Sequence, residues 1–196
     1  RMAIAGLARL GCLDVSAVPV GLELSLLVDV SASVDASEYD LQLQGYVGAF
    51  NDPLIHAAIS ANPTGSIAVN MVMWSSASAR AEVLGWTRIG SADDARAVAG
   101  AIGGIARPSS GLTAPQTALS RVITGYGDPF DNAFDGMRHV IDISLDGVSN
   151  DDAGQPASTA GLLTGCLDGG MLDDCASFGR DAALEAGVDA INVLAI

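Results

Sequence analysis

Three polar side chains at alternating positions, Asp29, Ser31 and Ser33, follow directly on a continuous apolar run. A carboxylate and two hydroxyls are hard oxygen donors, the ligand type that Mg²⁺ and Mn²⁺ prefer. The run before them is short and rich in Leu and Val, which favours a strand buried on both faces of a parallel sheet. Ligands of open α/β sheets bind beyond the carboxyl ends of such strands. This stretch therefore predicts a divalent-cation site.

The motif Asp-x-Ser-x-Ser after a buried first strand resembles the metal-ion-dependent adhesion site (MIDAS) of von Willebrand factor type A (vWA) domains. The segment 111–119, a Gly-x-Thr loop with Ala-Leu a few residues on, resembles the second metal-site segment of that family. A predicted strand that ends in Asp-Gly at 146–147 resembles the third. The resemblance covers about residues 20–196. It implies as metal ligands Asp29, Ser31, Ser33, Thr113 and Asp146.

The resemblance also implies a chemistry for this site. The hydroxyls of Ser31, Ser33 and Thr113 would bind the ion directly, and the two carboxylates would act mainly through water or as supports. Neutral ligands leave much of the charge of Mg²⁺ or Mn²⁺ uncompensated, so an exchangeable position can accept a carboxylate from a partner. We therefore expect a binding or adhesion module that recognises a protein or a glycan. A structural or vestigial metal site is the alternative.

Several shorter stretches are similar to a bacterial subgroup of this fold, DUF1194, whose activity is not established. They are VDVSASVDASEYDLQ, GYVGAFNDP, AVNMVMWSS, GWTRI and RDAALEAGVDAIN.

Enzymatic classes fit the sequence less well. A phosphatase-like hydrolase with Asp29 as nucleophile would use a second Asp two residues on and a Lys, but residue 31 is Ser and the chain has no Lys. The Gly-x-Ser-x-Gly, Gly-x-Gly-x-x-Gly and P-loop patterns are absent. We therefore predict that the protein is not an enzyme, with a metal-assisted hydrolase as the remaining alternative.

Length and charge narrow the possible partners. The 196 residues suit one domain, and 49% of them are hydrophobic, as in a globular protein. The net charge of −14, with only arginine as a basic residue besides two His, argues against nucleic acid or an anionic membrane as the main partner. No run approaches the roughly 20 apolar residues of a membrane span.

The N-terminal residues 1–17 resemble the end of a secretory signal peptide, with a basic start, an apolar middle and a Val-Ser-Ala pattern. This predicts an exported protein that is periplasmic, cell-surface or secreted. In such a compartment, Cys166 and Cys175 would form a disulfide that closes a Gly-rich and Asp-rich loop; in the cytosol they would be free thiols.

The remaining patterns predict a doubly wound, Rossmann-like α/β domain with helices on both faces of a mostly parallel sheet. Ser37 and Ser91 are the predicted N-caps of two helices. The five predicted strands cover residues 22–30, 66–74, 80–87, 138–145 and 189–196. Their expected order is 3-2-1-4-5, with the third as an antiparallel edge strand. Because the vWA fold continues with further elements, the resemblance implies a domain that is truncated after residue 196.

Overall fold

The fold is described by a computed structural model that covers residues 16–76, 79–108, 110–115, 118–119, 132–146 and 183–196. The described residues form seven strands and three helices. The strands are β1 (Val18–Val20), β2 (Glu23–Asp29), β3 (Ile67–Trp74), β4 (Arg80–Ile89), β5 (Phe134–Gly136), β6 (His139–Leu145) and β7 (Ala190–Ala195). The helices are α1 (Ala36–Asn51), α2 (Pro53–Ala61) and α3 (Ala92–Gly103).

Five strands form one sheet in the order β4-β3-β2-β6-β7. The central strand β2 pairs in parallel with β3 and β6, and β6 pairs in parallel with β7. Strand β4 is antiparallel to β3 and forms one edge. These are the five strands expected from the sequence, so the predicted mostly parallel α/β sheet is confirmed. Counted among those five alone, the order is 3-2-1-4-5.

The numbering of the strands shifts because β1 and β5, which the sequence analysis did not predict, pair in parallel as a separate two-stranded sheet. Each is only three residues long. A strand of that length cannot show the alternation from which strands are recognised in a sequence.

The central strands β2 and β3 are buried on both faces of the sheet, whereas the edge strand β7 exposes Val193 and Leu194. Every residue of β3 is buried, which explains why its sequence is apolar without alternation. One face packs against α1 and α3 through a core that includes Leu26, Val28, Leu43, Val98 and Ile102. The opposite face packs against a second core that includes Leu27, Trp74, Leu119, Ile143 and Ala183.

Helix α1 begins two residues earlier than predicted, because its N-cap is Asp35 and not Ser37. The Asp35 carboxylate accepts the backbone N–H groups of Ser37 (2.7 Å) and Glu38 (2.9 Å), and the Glu38 side chain accepts the N–H of Asp35 (2.8 Å). This reciprocal pair is a capping box, which satisfies donors that the first turn leaves free. The cap predicted for α3 at Ser91 is confirmed.

None of the described helices combines the length and the apolarity that a bilayer crossing requires.

Candidate metal site

The five residues predicted as metal ligands all lie in described parts of the chain. Asp29 is the last residue of β2, and Ser31 and Ser33 lie in the turn that follows it before α1. Asp146 comes directly after β6, the neighbouring parallel strand. Because β2 and β6 run in the same direction, their carboxyl ends lie at the same edge of the sheet.

Hydrogen bonds join four of these residues. The Asp29 Oδ1 atom accepts the backbone N–H of Ser31 at 2.7 Å. The hydroxyls of Ser31 and Ser33 are 3.2 Å apart, and the Ser33 hydroxyl donates to Asp146 Oδ1 at 2.8 Å. Two hydroxyls therefore link the ends of β2 and β6, so the structure brings these two segments together.

The Thr113 segment lies against the same turn. The Gly111 carbonyl accepts the N–H of Ala32 at 2.7 Å, and the N–H of Ala114 donates to the carbonyl of Ser75 at 3.1 Å, just past the end of β3. Thr113 itself is buried, with 3% of its surface exposed. The first bond places Gly111 next to the Ser31–Ser33 turn, and the second places Ala114 next to the end of β3, at the edge where Asp29 and Asp146 lie.

Two further buried polar residues hold Asp29 in place. The Ser144 hydroxyl accepts the N–H of Asp29 (3.2 Å) and donates to Gln42 Oε1 (2.6 Å), and Gln42 Nε2 donates to the carbonyl of Asp29 (3.3 Å). Both are almost fully buried. Neither residue was predicted from the sequence, although a Gln on the apolar face of a helix and a Ser inside an apolar strand were available signals.

Asp29 has an incompletely satisfied carboxylate. Its side chain is fully buried, and Oδ2 has no hydrogen-bond partner among the described residues. Burial raises the pKa of Asp29, and the charge of Asp146 raises it further, whereas the hydrogen bond from Ser31 and the nearby backbone of Asp146 lower it. A buried carboxylate oxygen without a donor costs free energy unless a cation or water compensates it.

The donor set fits a hard divalent cation. Two carboxylates and nearby Ser and Thr hydroxyls are oxygen ligands of the kind that Mg²⁺ and Mn²⁺ take. The described residues contain no group of three or more His, Cys, Asp or Glu side chains that could hold a metal. A metal at this edge would therefore depend on hydroxyl ligands together with Asp29 and Asp146.

Two other predicted features, the leader at residues 1–17 and the Cys166–Cys175 pair, cannot be compared with the fold. Residues 1–15 and both cysteines lie outside the described residues.

Comparisons with known proteins agree with the fold. The model of the family described as "Protein of unknown function (DUF1194)" matches residues 19–163. No curated protein matches the sequence.

The solved proteins with similar structures include the following two. Proximal thread matrix protein 1 from the mussel byssus superposes with a TM-score of 0.57 at 15% identity, over 91% of this chain and 40% of its own. A second structure of that protein, with a zinc-occupied MIDAS motif, gives a TM-score of 0.52 at 15% identity, over 93% of this chain and 38% of its own. The PilB minor pilin of Streptococcus sanguinis gives 0.59 at 13% identity, over 90% of this chain and 50% of its own.

The chain thus spans between about two fifths and half of the length of these proteins. At such low identity the similarity concerns the fold, which is vWA-like as the sequence predicted.

Proposed function

Since the chain belongs to the DUF1194 family, whose function is unknown, we propose from its site that it is a metal-ion-dependent binding module. In this proposal Mg²⁺ or Mn²⁺ is held at the edge of the sheet by Asp29, Ser31, Ser33, Thr113 and Asp146. The observation that carries the proposal is the buried Asp29 Oδ2 atom, which has no hydrogen-bond partner among the described residues. A cation is the partner that its charge and its hydroxyl neighbours favour.

The residues have distinct roles in this proposal. The three hydroxyls of Ser31, Ser33 and Thr113 bind the ion directly, while Asp29 and Asp146 hold water molecules and orient the hydroxyls. The bound ion supplies an electrophilic position at which an anionic oxygen can bind. The turn after β2 orients Ser31 and Ser33, because Asp29 accepts the N–H of Ser31 and Ser33 donates to Asp146.

The partner we propose is a protein or a glycan that offers a carboxylate. Three uncharged direct ligands would leave most of the ion's positive charge available to that group. The chain as a whole is acidic, with a net charge of −14. Recognition by a carboxylate would therefore depend on the cation, since the protein without it would repel an acidic partner.

An extracellular location is part of the proposal. Two of the structurally similar proteins are a byssus thread matrix protein and a minor pilin. Together with the leader-like residues 1–17, they support export to the periplasm, the cell surface or the medium.

A purely structural site is the second candidate, because one observation favours it. Ser33 already donates to Asp146 at 2.8 Å and lies 3.2 Å from the Ser31 hydroxyl, so these groups satisfy one another without an ion. In that case an ion would stabilise the fold without creating a binding surface.

Isothermal titration calorimetry with MgCl₂ and MnCl₂ tests metal binding. Wild-type protein should bind one ion, and at 100 times the Kd the added stability is about 2.7 kcal/mol, which raises the Tm by several degrees. Asp29→Asn should abolish binding and the rise in Tm. The matched control is Asp40→Asn, which neutralises an exposed carboxylate on α1.

A second measurement separates the two candidates. Acetate and a carboxylate-bearing peptide are titrated into the protein with saturating Mg²⁺ or with EDTA. Binding that needs Mg²⁺ supports the module, whereas metal binding without carboxylate binding favours the structural site. Absence of metal binding to wild-type protein contradicts both.

The disulfide remains a proposal from the sequence. Thiol titration of protein purified from its native compartment should detect neither Cys166 nor Cys175. Two reactive thiols from these residues would contradict both the disulfide and, with it, the oxidising location.

A further inference from the structure

Arg107 makes an unusual set of contacts with the turn that carries Ser31 and Ser33. Its guanidinium donates to three backbone carbonyls, those of Val30 (2.7 Å), Val34 (2.9 Å) and Ser31. These three carbonyls bracket both hydroxyl residues of the predicted metal site. One side chain thus fixes the peptide groups before, at and after the two serines.

Arg107 belongs to the segment that leads to Thr113. The same segment meets the turn a second time, where the N–H of Ala32 donates to the carbonyl of Gly111 at 2.7 Å. Its beginning is held by α1, because the Tyr39 hydroxyl donates to the carbonyl of Ile105 at 3.1 Å. The segment that carries Thr113 and the turn that carries Ser31 and Ser33 are therefore connected at four hydrogen bonds, three of them from Arg107.

The contacts depend on the shape of arginine. The guanidinium is planar and has five N–H donors, so it can reach several carbonyls at fixed angles, which the single ammonium group of lysine cannot. It also lies 5.9 Å from the centre of the Tyr39 ring, within the range of a cation–π contact. Among the described residues, Arg107 has no carboxylate within ion-pair distance.

The arrangement has a cost that a merely structural role would not require. A positive charge close to a cation site opposes cation binding, and neutral donors could fix the same turn without it. The benefit is order. Hydroxyl ligands bind weakly unless their geometry is set in advance, and groups that orient ligands typically change metal affinity by about 10- to 100-fold.

We propose that Arg107 is a positioning residue that clamps the Ser31–Ser33 turn and aligns it with the Thr113 segment before the ion binds. The inference rests on the proposed function, since it assigns Arg107 a role at that metal site. It also makes a separate statement about the metal-free protein, in which the clamp should already be closed.

The first test measures Mn²⁺ and Mg²⁺ affinity by calorimetry for Arg107→Ala, Arg107→Lys and the control Arg96→Ala. Arg96 is a surface residue whose contact is an exposed ion pair with Asp93. Arg107→Ala should raise the Kd by about 10- to 100-fold, in line with other residues that orient ligands. Arg107→Lys should raise it by less, and Arg96→Ala should leave it unchanged. A Kd within threefold of wild type in folded Arg107→Ala and Arg107→Lys would overturn the proposal.

The second test measures hydrogen exchange in EDTA, so it does not depend on metal binding. In Arg107→Ala the amides of Ala32 and Val34, which bond to Gly111 and Ser31, should exchange at least about tenfold faster than in wild type. The amide of Ala68, bonded to Leu22 inside the sheet, should change much less. Equal acceleration at all three amides would mean global destabilisation and would overturn the clamp.

If the alanine variant does not fold, Arg107→Lys is used for the same hydrogen-exchange measurement, since lysine keeps the positive charge but lacks the planar guanidinium group. The two tests distinguish an error in the proposed metal site from an error in the proposed role of Arg107. If wild-type protein binds no ion but Ala32 and Val34 lose protection selectively, the metal site is wrong and the clamp is correct. If wild-type protein binds an ion and the amides are unaffected, the clamp is wrong.

Discussion

The central strand β2 carries a fully buried carboxylate at each end, and the two carboxylates differ in their hydrogen bonding. At the start of β2, both carboxylate oxygens of Glu23 have hydrogen-bond donors. Oε2 accepts from Asn132 Nδ2 at 2.6 Å, and Oε1 accepts the N–H of Gly136 at 2.7 Å. His139 Nε2 lies 3.6 Å from Oε1. At its end, Asp29 accepts a hydrogen bond from Ser31 on one oxygen, and the other has no partner among the described residues.

The two ends of β2 therefore differ in how the protein satisfies a buried carboxylate. Around Glu23 the chain comes so close that a Cβ atom on Gly136 would lie 2.8 Å from Oε1, so the backbone itself supplies a donor. Around Asp29 the neighbours are hydroxyls and a second carboxylate, and none of them donates a hydrogen bond to Oδ2. The same type of buried group is thus satisfied by protein donors at one end, whereas at the other end one oxygen has no donor among the described residues. The proposed cation would supply its partner.

The largest change in the free energy of unfolding is expected for a substitution of Glu23, at the start of β2. Glu23→Gln replaces one acceptor oxygen of a fully buried side chain by a donor that faces the donor of Asn132 or Gly136. Such a change in a buried polar network typically costs about 2–4 kcal/mol. Urea unfolding measures the loss, with Glu82→Gln on β4 as the exposed control, which should stay within about 0.5 kcal/mol. A loss below about 1 kcal/mol would remove the contrast between the two ends.

A smaller loss is expected from Ser144→Ala, which removes a support of Asp29 without touching its carboxylate. The buried Gln42 Oε1 atom and the Asp29 N–H lose their partner, which costs about 1–3 kcal/mol. Metal affinity should fall as well, because Asp29 is less firmly held. Unfolding in EDTA together with calorimetry measures both effects. Unchanged stability would mean that this network does not position Asp29.

A substitution of Asp29, at the end of β2, should change the stability of the metal-free protein in the opposite direction. In EDTA at neutral pH, Asp29→Asn should stabilise the protein by up to about 1 kcal/mol, because an amide is less costly to bury than a partly unsatisfied carboxylate. It should also eliminate stabilisation by Mg²⁺, whereas Glu23→Gln should retain it. If Asp29→Asn destabilises the metal-free protein as strongly as Glu23→Gln does, the two ends do not differ.

The smallest effect is the pH dependence of that gain. Because burial raises the pKa of Asp29 in the folded protein, the folded state binds more protons than the unfolded state between the two pKa values. Ionisation therefore lowers stability as the pH rises through this window, and the penalty is absent below the unfolded pKa of about 3.9. Urea unfolding in EDTA at several pH values should show the advantage of Asp29→Asn shrinking as the pH falls. An advantage independent of pH would refute this explanation.

The sequence predicted that Asp29 and Asp146 lie at the same edge of the sheet, for a physical reason. Asp29 and Asp146 each follow an apolar run, and the ends of adjacent parallel strands meet, so local patterns were enough to bring them together. The prediction did not include Glu23. A single acid in the run 22–28 has no local signal for its partners, which are supplied more than 100 residues away by Asn132 and Gly136.

Hydrogen bonds between residues close in sequence determine where α1 begins. Asp35 and Glu38 form the capping box of α1, although Ser37 lies between them and is a good N-cap by residue type alone. The carboxylate of Asp35 reaches two N–H groups and receives the support of Glu38. Arg107, Gln42 and Ser144 were not predicted because their roles depend on side-chain contacts across the fold, which no periodic pattern records.

The parallel order of the central strands has a consequence for how the chain folds. Ser33 and Asp146 are bonded across 113 residues of sequence, so their contact forms only after long loops have closed. A transition state that lacks the β2–β6 pairing would contain no complete set of ligands. A bound ion would then stabilise the native state without stabilising that barrier, and its contribution would appear as slower unfolding at an almost unchanged folding rate.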